Sequence, residues 1–277
     1  MAAAWELVLS GKPITPEHLV LYNNLWHSPL HHGSYSRDTP KEACAAMNNA
    51  LEEFRRNMKE TDLFVFTFGT AYVYRDHETG EVVNNCHKRP DVHFLRSRTT
   101  VSEIVATWHP LLQRLHTLVP QAQTVLTVSP IPHYRDGVHA NKLSKATLLL
   151  AVEELTQTAP NTSYFPAYEI MLDELRDYRF FAEDFAHPTP QAVRYIMDTF
   201  ASTFLAEDPQ PHVTRRWQSI YQQIVHRPHT KQQQPLWEYY NAILLQLKSF
   251  GHQHLPQVQE ALRQVQEQLN ALSGLVK

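Results

Sequence analysis

Leu63-Phe64-Val65-Phe66-Thr67-Phe68-Gly69 is the stretch whose reading decides the fold. An uninterrupted apolar and β-prone run that stops at a glycine has the form of a short strand covered on both faces. Just upstream, Ala43, Met47, Ala50, Leu51, Phe54 and Met58 recur at helical spacing after Thr39-Pro40, so an amphipathic helix leads into this strand. Downstream the same unit comes twice more. A helix from about Val101 to Leu118 precedes Thr124-Val125-Leu126-Thr127-Val128, which Ser129-Pro130 stops. A helix from Leu143 to Leu155 precedes Ser163-Tyr164-Phe165, which Pro166 stops. Helices alternating with buried-type strands predict an α/β domain with a parallel sheet, flanking helices and right-handed crossovers.

Outward from this repeat, Tyr72-Val73-Tyr74 and Glu81-Val82-Val83 flank a polar stretch and predict a small hairpin. Leu7, Val8 and Leu9 before Gly11 read as the last turns of a helix, and Thr15-Pro16-Glu17 as a fresh helix start. Trp26 to Asp38, with Pro29 and Gly33, is expected to be loop, and Thr189-Pro190 to open a helix to about Leu205. Pro209, Pro211 and Gln232 to Gln234 then read as linkers, dividing an α/β domain over 1–206 from a helical extension over 207–277. In that extension Tyr240, Ile243, Leu247 and Phe250 form one apolar stripe. Leu255, Val258, Leu262, Val265, Leu269 and Leu272 form a second, a narrow seam. Together they predict an antiparallel helical hairpin, packed within the chain, with self-association as its other use.

A chain of 277 residues with 43% hydrophobic content supports one sizeable core plus an appendage. The formal charge is -3, with Lys and Arg dispersed, which leaves no electrostatic footprint for nucleic acid or an anionic membrane. Small neutral or polar partners are expected. The only cysteines, Cys44 and Cys86, form no CxxC pair, so neither a disulfide framework nor a cysteine zinc site is expected, and a reducing cytoplasm fits. The opening MAAAWELVLSGK lacks a basic leading region, and no stretch approaches a membrane span in length.

Loops at the carboxyl ends of parallel strands hold ligands, which singles out Gly69-Thr70, Ser129-Pro130 and the loop toward Asp184. Asp184-Phe185-Ala186-His187 spaces a carboxylate so that it can hold one imidazole nitrogen while the other faces a cleft, the arrangement of a general base. Asp-x-x-His is also common by chance in solvated loops; its place after the last strand and before a capped helix is what raises it. His27, His31 and His32 would suit a metal only on a helix, which Pro29 interrupts, so no metal is expected. Asn85, Cys86, His87 and Lys88 end the hairpin beside the expected cleft. Cys86 beside His87 is a conceivable nucleophile, against the reading of an inert, partly buried cysteine. Ser129, Ser34 and Ser144 lack a GxSxG elbow, and Ser144 reads as a helix cap.

Thr67 to Tyr74 (TFGTAYVY), Asn85 to Lys88 (NCHK), Thr127 to Pro130 (TVSP), Leu143 to Leu148 (LSKATL) and Tyr164 to Pro188 together resemble the GSCFA domain. That bacterial group is related to the SGNH, or GDSL-like, hydrolases, whose sheet is flavodoxin-like. The resemblance runs from the start to about Leu205. It implies that Asp184 and His187 are the acid and base of a catalytic triad, that Gly69 stands at the oxyanion site, and that no cofactor is needed. Ala71 stands where related hydrolases carry an asparagine donor, so backbone amides near Gly69 and Thr70 are the expected substitutes. The namesake Gly-Ser-Cys-Phe-Ala segment, expected to carry the nucleophile, is absent, so the first strands of the sheet are expected to lie upstream of Met1. Two functions follow as expectations. One is hydrolysis of acyl or acetyl esters, on a small molecule or a glycan, with the nucleophile supplied from upstream. The other is a non-catalytic binding protein that keeps the hydrolase-like fold.

Overall fold

The computed structural model describes residues 1–205, 211–226, 233–253 and 255–273, and the chain divides into two units, Met1–Phe200 and Ala201–Lys277. In the first unit, α1 (Ala2–Ser10) ends where Gly11 takes a φ of 70°, a left-handed turn that glycine makes without a Cβ clash. The helix expected from Thr15 lasts only one 3₁₀ turn, Pro16–His18. The Thr15 N–H donates to Nδ1 of His18 at 3.1 Å, which closes the turn on itself, and the chain is already extended at Leu19. A hairpin that the periodicity did not reveal follows, β1 (Val20–Tyr22) with β2 (Leu25–His27). Its Asn23-Asn24 turn has φ of 48° and 60°, and asparagine is among the few residues that tolerate two positive φ values in succession. The expected loop from Trp26 thus gives Trp26 and His27 to a strand, and Trp26 bridges to Arg37.

α2 (Pro40–Met58) starts at the N-cap Thr39, whose Oγ1 accepts the Glu42 N–H at 3.3 Å, and its face of Ala43, Met47, Leu51 and Met58 is buried. It leads into β3 (Leu63–Phe68). A small antiparallel sheet then forms from β4 (Tyr72–Asp76), β5 (Val82–Val83) and β6 (Phe94–Arg98), with β4 in the middle. The first pair is the expected hairpin. β6 escaped notice because Phe94-Leu95-Arg96-Ser97-Arg98 is apolar only at one end. The repeat continues with α3 (Val101–Leu118), β7 (Gln123–Val128), α4 (Val138–Thr158), β8 (Thr162–Phe165), the short α5 (Ala167–Glu169) and α6 (Pro190–Phe204). α3 opens on a Thr100–Glu103 capping box. α4 begins at Val138, ahead of the expected Leu143, on Gly137 with its φ of 76°.

β3, β7 and β8 pair in parallel in that order, with Leu63 opposite Gln123 and Thr124 opposite Thr162. The α/β architecture with a parallel sheet and flanking helices is therefore the observed one. Val125, Leu126 and Val128 of the middle strand are fully buried. β3 departs from the expected two-sided burial: Phe64, Phe66 and Phe68 enter the core, while Val65 is 47% exposed. The covered face is the aromatic one. The Trp5 ring of α1 stands edge-on to Phe64 and Phe66 at 5.8 and 4.9 Å, and Trp108 of α3 to Phe66 and Phe68 at 5.2 and 4.9 Å. Val65 and Thr67 are β-branched and suit an open sheet face as well as a covered one, so the alternation was hidden.

In the second unit, α7 (Pro211–Val225), α8 (Gln233–Ser249) and α9 (Pro256–Ser273) share a core of Ile220, Tyr240, Ile243, Leu247, Val258, Val265 and Leu269. Both apolar stripes pack as expected, and α7 adds a third helix to the expected hairpin. Pro211 and Gln233-Gln234, read as linkers, open α7 and α8, where a missing or solvated N–H costs little; Pro209 and Gln232 lie outside the described residues. Among the described residues no helix is long and apolar enough to cross a membrane.

Leu126 sits at 0% exposure in the middle strand. Leu126→Ala leaves a cavity there and is expected to lower stability by about 2–5 kcal/mol, read as an earlier urea unfolding midpoint at unchanged slope.

Candidate functional site

The loop between β8 and α6 is closed at its base, where Ala182 N–H donates to the His187 carbonyl and Thr189 N–H to the Phe180 carbonyl, both at 2.8 Å. Inside it, Oδ1 of Asp184 accepts the N–H groups of Ala186 and His187 at 2.9 and 3.0 Å, while Oδ2 lies 2.5 Å from Nδ1 of His187. The turn needs Phe185 at a φ of 54°. The backbone N–H of His187, that of Ala186 and the imidazole together hold the Asp184 carboxyl down at about 2. A carboxylate on Nδ1 keeps the proton there and leaves the Nε2 lone pair free. Nε2 of His187 has no hydrogen-bond partner among the described residues, and the ring is 61% exposed.

Gly69 and Thr70 stand at the carboxyl end of β3 and are gripped from α4. Asn141, Ser144 and Lys145 lie on one buried face of that helix, with Ser144 and Lys145 each 1% exposed. Ser144 Oγ accepts the Ala71 N–H at 2.8 Å and lies 3.1 Å from Thr70 Oγ1. Lys145 Nζ donates to the carbonyls of Gly69 and Ser129, each at 2.6 Å. Ser144 is therefore no helix cap: α4 starts earlier than its sequence suggested, and the hydroxyl lies inside the helix against the β3 loop. The amide donors expected here narrow as well, because the Ala71 N–H is already taken. Burial, and secondarily the charge of Lys142, lower the Lys145 ammonium to about 8.

His133 was not singled out from the sequence. Its N–H donates to Asn141 Oδ1 at 3.0 Å, and a Cβ on Gly69 would meet its Nε2 at 3.5 Å, which places the ring beside the β3 loop. Burial, then the Lys145 charge, lowers its pKa. The signal that could have found these groups is the continuation of the apolar α4 face, Leu155, Val152 and Leu148, into Lys145, Ser144 and Asn141 at the same helical spacing.

Asn85 and His87 serve a different neighbourhood. Asn85 Oδ1 accepts the His87 N–H at 2.9 Å, and the Asn84 and Asn85 N–H groups converge on the Pro29 carbonyl at 2.9 and 3.0 Å. His87 Nε2 donates to the Ser28 carbonyl at 2.7 Å, and its ring stacks on His27 at 4.4 Å. Burial is the main cause that lowers the His87 pKa. Both ring nitrogens of His27 are engaged, with Ser36 Oγ at 2.6 Å and the Tyr22 carbonyl at 3.1 Å. These residues brace the hairpin against the 27–36 loop, and no hydrogen bond connects them to His187 or Gly69. Among the described residues no group of three His, Cys, Asp or Glu side chains is placed to hold a metal ion. Burial pushes the Cys86 thiol up, away from the thiolate a nucleophile requires.

The segment after β7 ties these regions together. Tyr134 Oη donates to the Phe185 carbonyl at 2.9 Å, reaching the Asp184 loop. Arg135 donates to Tyr74 Oη at 2.6 Å and to Asp91 at 2.8 Å, reaching the small sheet. Asp136, whose side chain is fully buried, pairs with Arg96, and that guanidinium lies 4.2 Å over the Tyr72 ring. Gly69, Thr70 and Ala71 also border a cavity of about 450 Å³ whose lining is mainly apolar, with Phe68, Ile104, Trp108, Leu111 and Leu148, but includes Glu6, Arg75 and Glu103.

The unit that holds all these groups spans Met1–Phe200, and the model of the GSCFA family matches residues 1–200. The chain belongs to the GSCFA family. No curated protein and no solved structure matches it. In this GSCFA chain the motif at Leu143 to Leu148 supplies the grip on the β3 loop, and the motif at Thr67 to Tyr74 supplies the loop gripped.

Arg96→Met removes the partner of a fully buried carboxylate and is expected to cost about 3–5 kcal/mol in chemical denaturation. Adding Asp136→Asn to it is expected to recover only part of that loss, because the amide needs no counter-charge but is left buried without a hydrogen-bond partner among the described residues.

Proposed function

We propose that this GSCFA chain contributes the acid–base half of an SGNH-like site that hydrolyses acyl or acetyl esters. The observation that carries the reading is the Asp184–His187 pair, with Oδ2 2.5 Å from Nδ1 and Nε2 left open. In this reading the nucleophile is a serine or cysteine carried on an upstream segment. Its hydroxyl or thiol attacks the ester carbonyl while Nε2 of His187 takes the proton. The C–O bond then breaks as His187 returns that proton to the leaving alkoxide. Water, deprotonated by the same ring, releases the acyl group. Asp184 fixes the tautomer and stabilises the imidazolium. The mainly apolar cavity beside Gly69 offers room for an acyl chain.

A second reading, a non-catalytic binding protein on the same fold, is favoured by Ala71, which has no side-chain donor and whose N–H is committed to Ser144. Hydrolysis of p-nitrophenyl acetate by the polypeptide with its upstream coding sequence separates the two. His187→Ala and Asp184→Asn are each expected to lower kcat by about 100-fold or more at unchanged circular dichroism. Equal rates for the parent and His187→Ala would sink the ester reading and leave the binding one.

The Asp184 carboxyl is held near 2, below the 3.8 of a free side chain, so it stays ionised until the pH falls to that region. An acid limb of kcat/KM lying well above 2 is therefore expected to belong to another group, and the Asp184 carboxyl carbon, followed by its carbon-13 shift, is expected to titrate only near 2.

A further inference from the structure

The parallel ladder between β3 and β7 ends in an unusual way. With Phe68 opposite Val128, the Ser129 N–H donates to the Phe68 carbonyl at 2.9 Å, and the next bond in register would run from the Thr70 N–H to the Ser129 carbonyl. That bond is not made. Lys145 Nζ takes the Ser129 carbonyl at 2.6 Å, and the Gly69 carbonyl at 2.6 Å, instead. A trans peptide sets its C=O and N–H on opposite sides, so turning the Gly69 carbonyl toward Lys145 points the Thr70 N–H away from it. The Thr70 N–H has no partner among the described residues, although the neighbouring Ala71 and Tyr72 N–H groups donate to Ser144 Oγ at 2.8 Å and Thr70 Oγ1 at 3.1 Å. An ammonium buried to 1% exposure is costly. An apolar side chain would fill the same space without that cost, but it would leave both carbonyls unpaired and the peptide free to turn.

We propose that Lys145 is a positioning residue that orients the Gly69–Thr70 peptide and so presents the Thr70 N–H as the hydrogen-bond donor for a substrate oxyanion. The identity of that anion, the tetrahedral oxygen of an ester, rests on the hydrolase reading; the orientation of the peptide does not. The ammonium grips through charge-assisted bonds, which weaken once it loses its proton. The charged groups around it are Lys142 on its own helix, His133 from the segment after β7 and, behind His133, the Asp136–Arg96 pair; the Gly69–Thr70 loop brings none. Burial and Lys142 hold the ammonium at about 8, so the grip is complete below that pH and relaxes above it.

Proton–nitrogen correlation spectra of the whole chain test this, with acetate as the anion probe. Below the midpoint, acetate is expected to shift the Thr70 amide proton downfield. The same resonance is expected to titrate with a midpoint near 8 in the absence of acetate. Lys145→Met is expected to remove both responses, and Lys145→Arg to keep the acetate response while abolishing the titration. An unmoved Thr70 amide in the parent chain, or identical behaviour in Lys145→Met, would overturn the proposal. The parent titration alone suffices if Lys145→Met fails to fold. A Thr70 amide that follows Lys145 and binds acetate, when the polypeptide with its upstream coding sequence shows no His187-dependent esterase activity, would uphold the positioning and defeat the ester reading.

Discussion

β7 lies between two parallel neighbours and must be covered on both faces, and this constraint arranges the rest of the first unit. Parallel pairing demands a long crossover between successive strands, which α3 and α4 supply. Once those helices cover the sheet, the loops leaving the carboxyl ends of β3, β7 and β8 emerge on one edge. Gly69-Thr70, Ser129 to Gly137 and the Asp184 loop all leave from there. The polar end of α4 reaches this edge because the helix that packs Leu148, Val152 and Leu155 into the core continues on the same face into Asn141, Ser144 and Lys145.

The candidate site is accordingly built from two kinds of organisation. Asp184 and His187 find each other within one tight loop, held by backbone N–H bonds to the carboxylate and by a strand-like closure at the loop's base. That pair needs little from the remainder of the fold. The β3 loop is the opposite case. Its Gly69 carbonyl, Thr70 hydroxyl and Ala71 N–H are satisfied by residues more than seventy positions away, through Lys145 and Ser144. Buried polar groups of this kind hold one arrangement firmly when every member is paired, and they are expensive when one is lost.

Between the two stands the segment after β7, which reaches the Asp184 loop through Tyr134, the β3 loop through His133, and the small sheet through Arg135 and Asp136. The Arg96 guanidinium lies over the Tyr72 and Tyr74 rings and its partner Asp136 is fully buried, where solvent screening is weak, so the segment is anchored by charge as well as by packing.

The strands β3, β7 and β8 and the helices α2, α3 and α6 were legible because an apolar run closed by glycine or proline and a capped 3.6-residue period are local signals. The Asp184–His187 contact was legible for the same reason, being set by a four-residue turn. β6 and the Asn23-Asn24 hairpin were not, since their strands lack alternation, and the single turn at Thr15 mimicked a helix start. Asn85 and His87 looked like cleft residues but were drawn off by Pro29, Ser28 and His27, partners that only the folded chain supplies. By itself the sequence determined the α/β class, the order of its main elements and the contact between Asp184 and His187. Only the tertiary structure decided which amides stay free and what the buried lysine holds, because those bonds join residues far apart in the chain that meet at the end of a packed sheet.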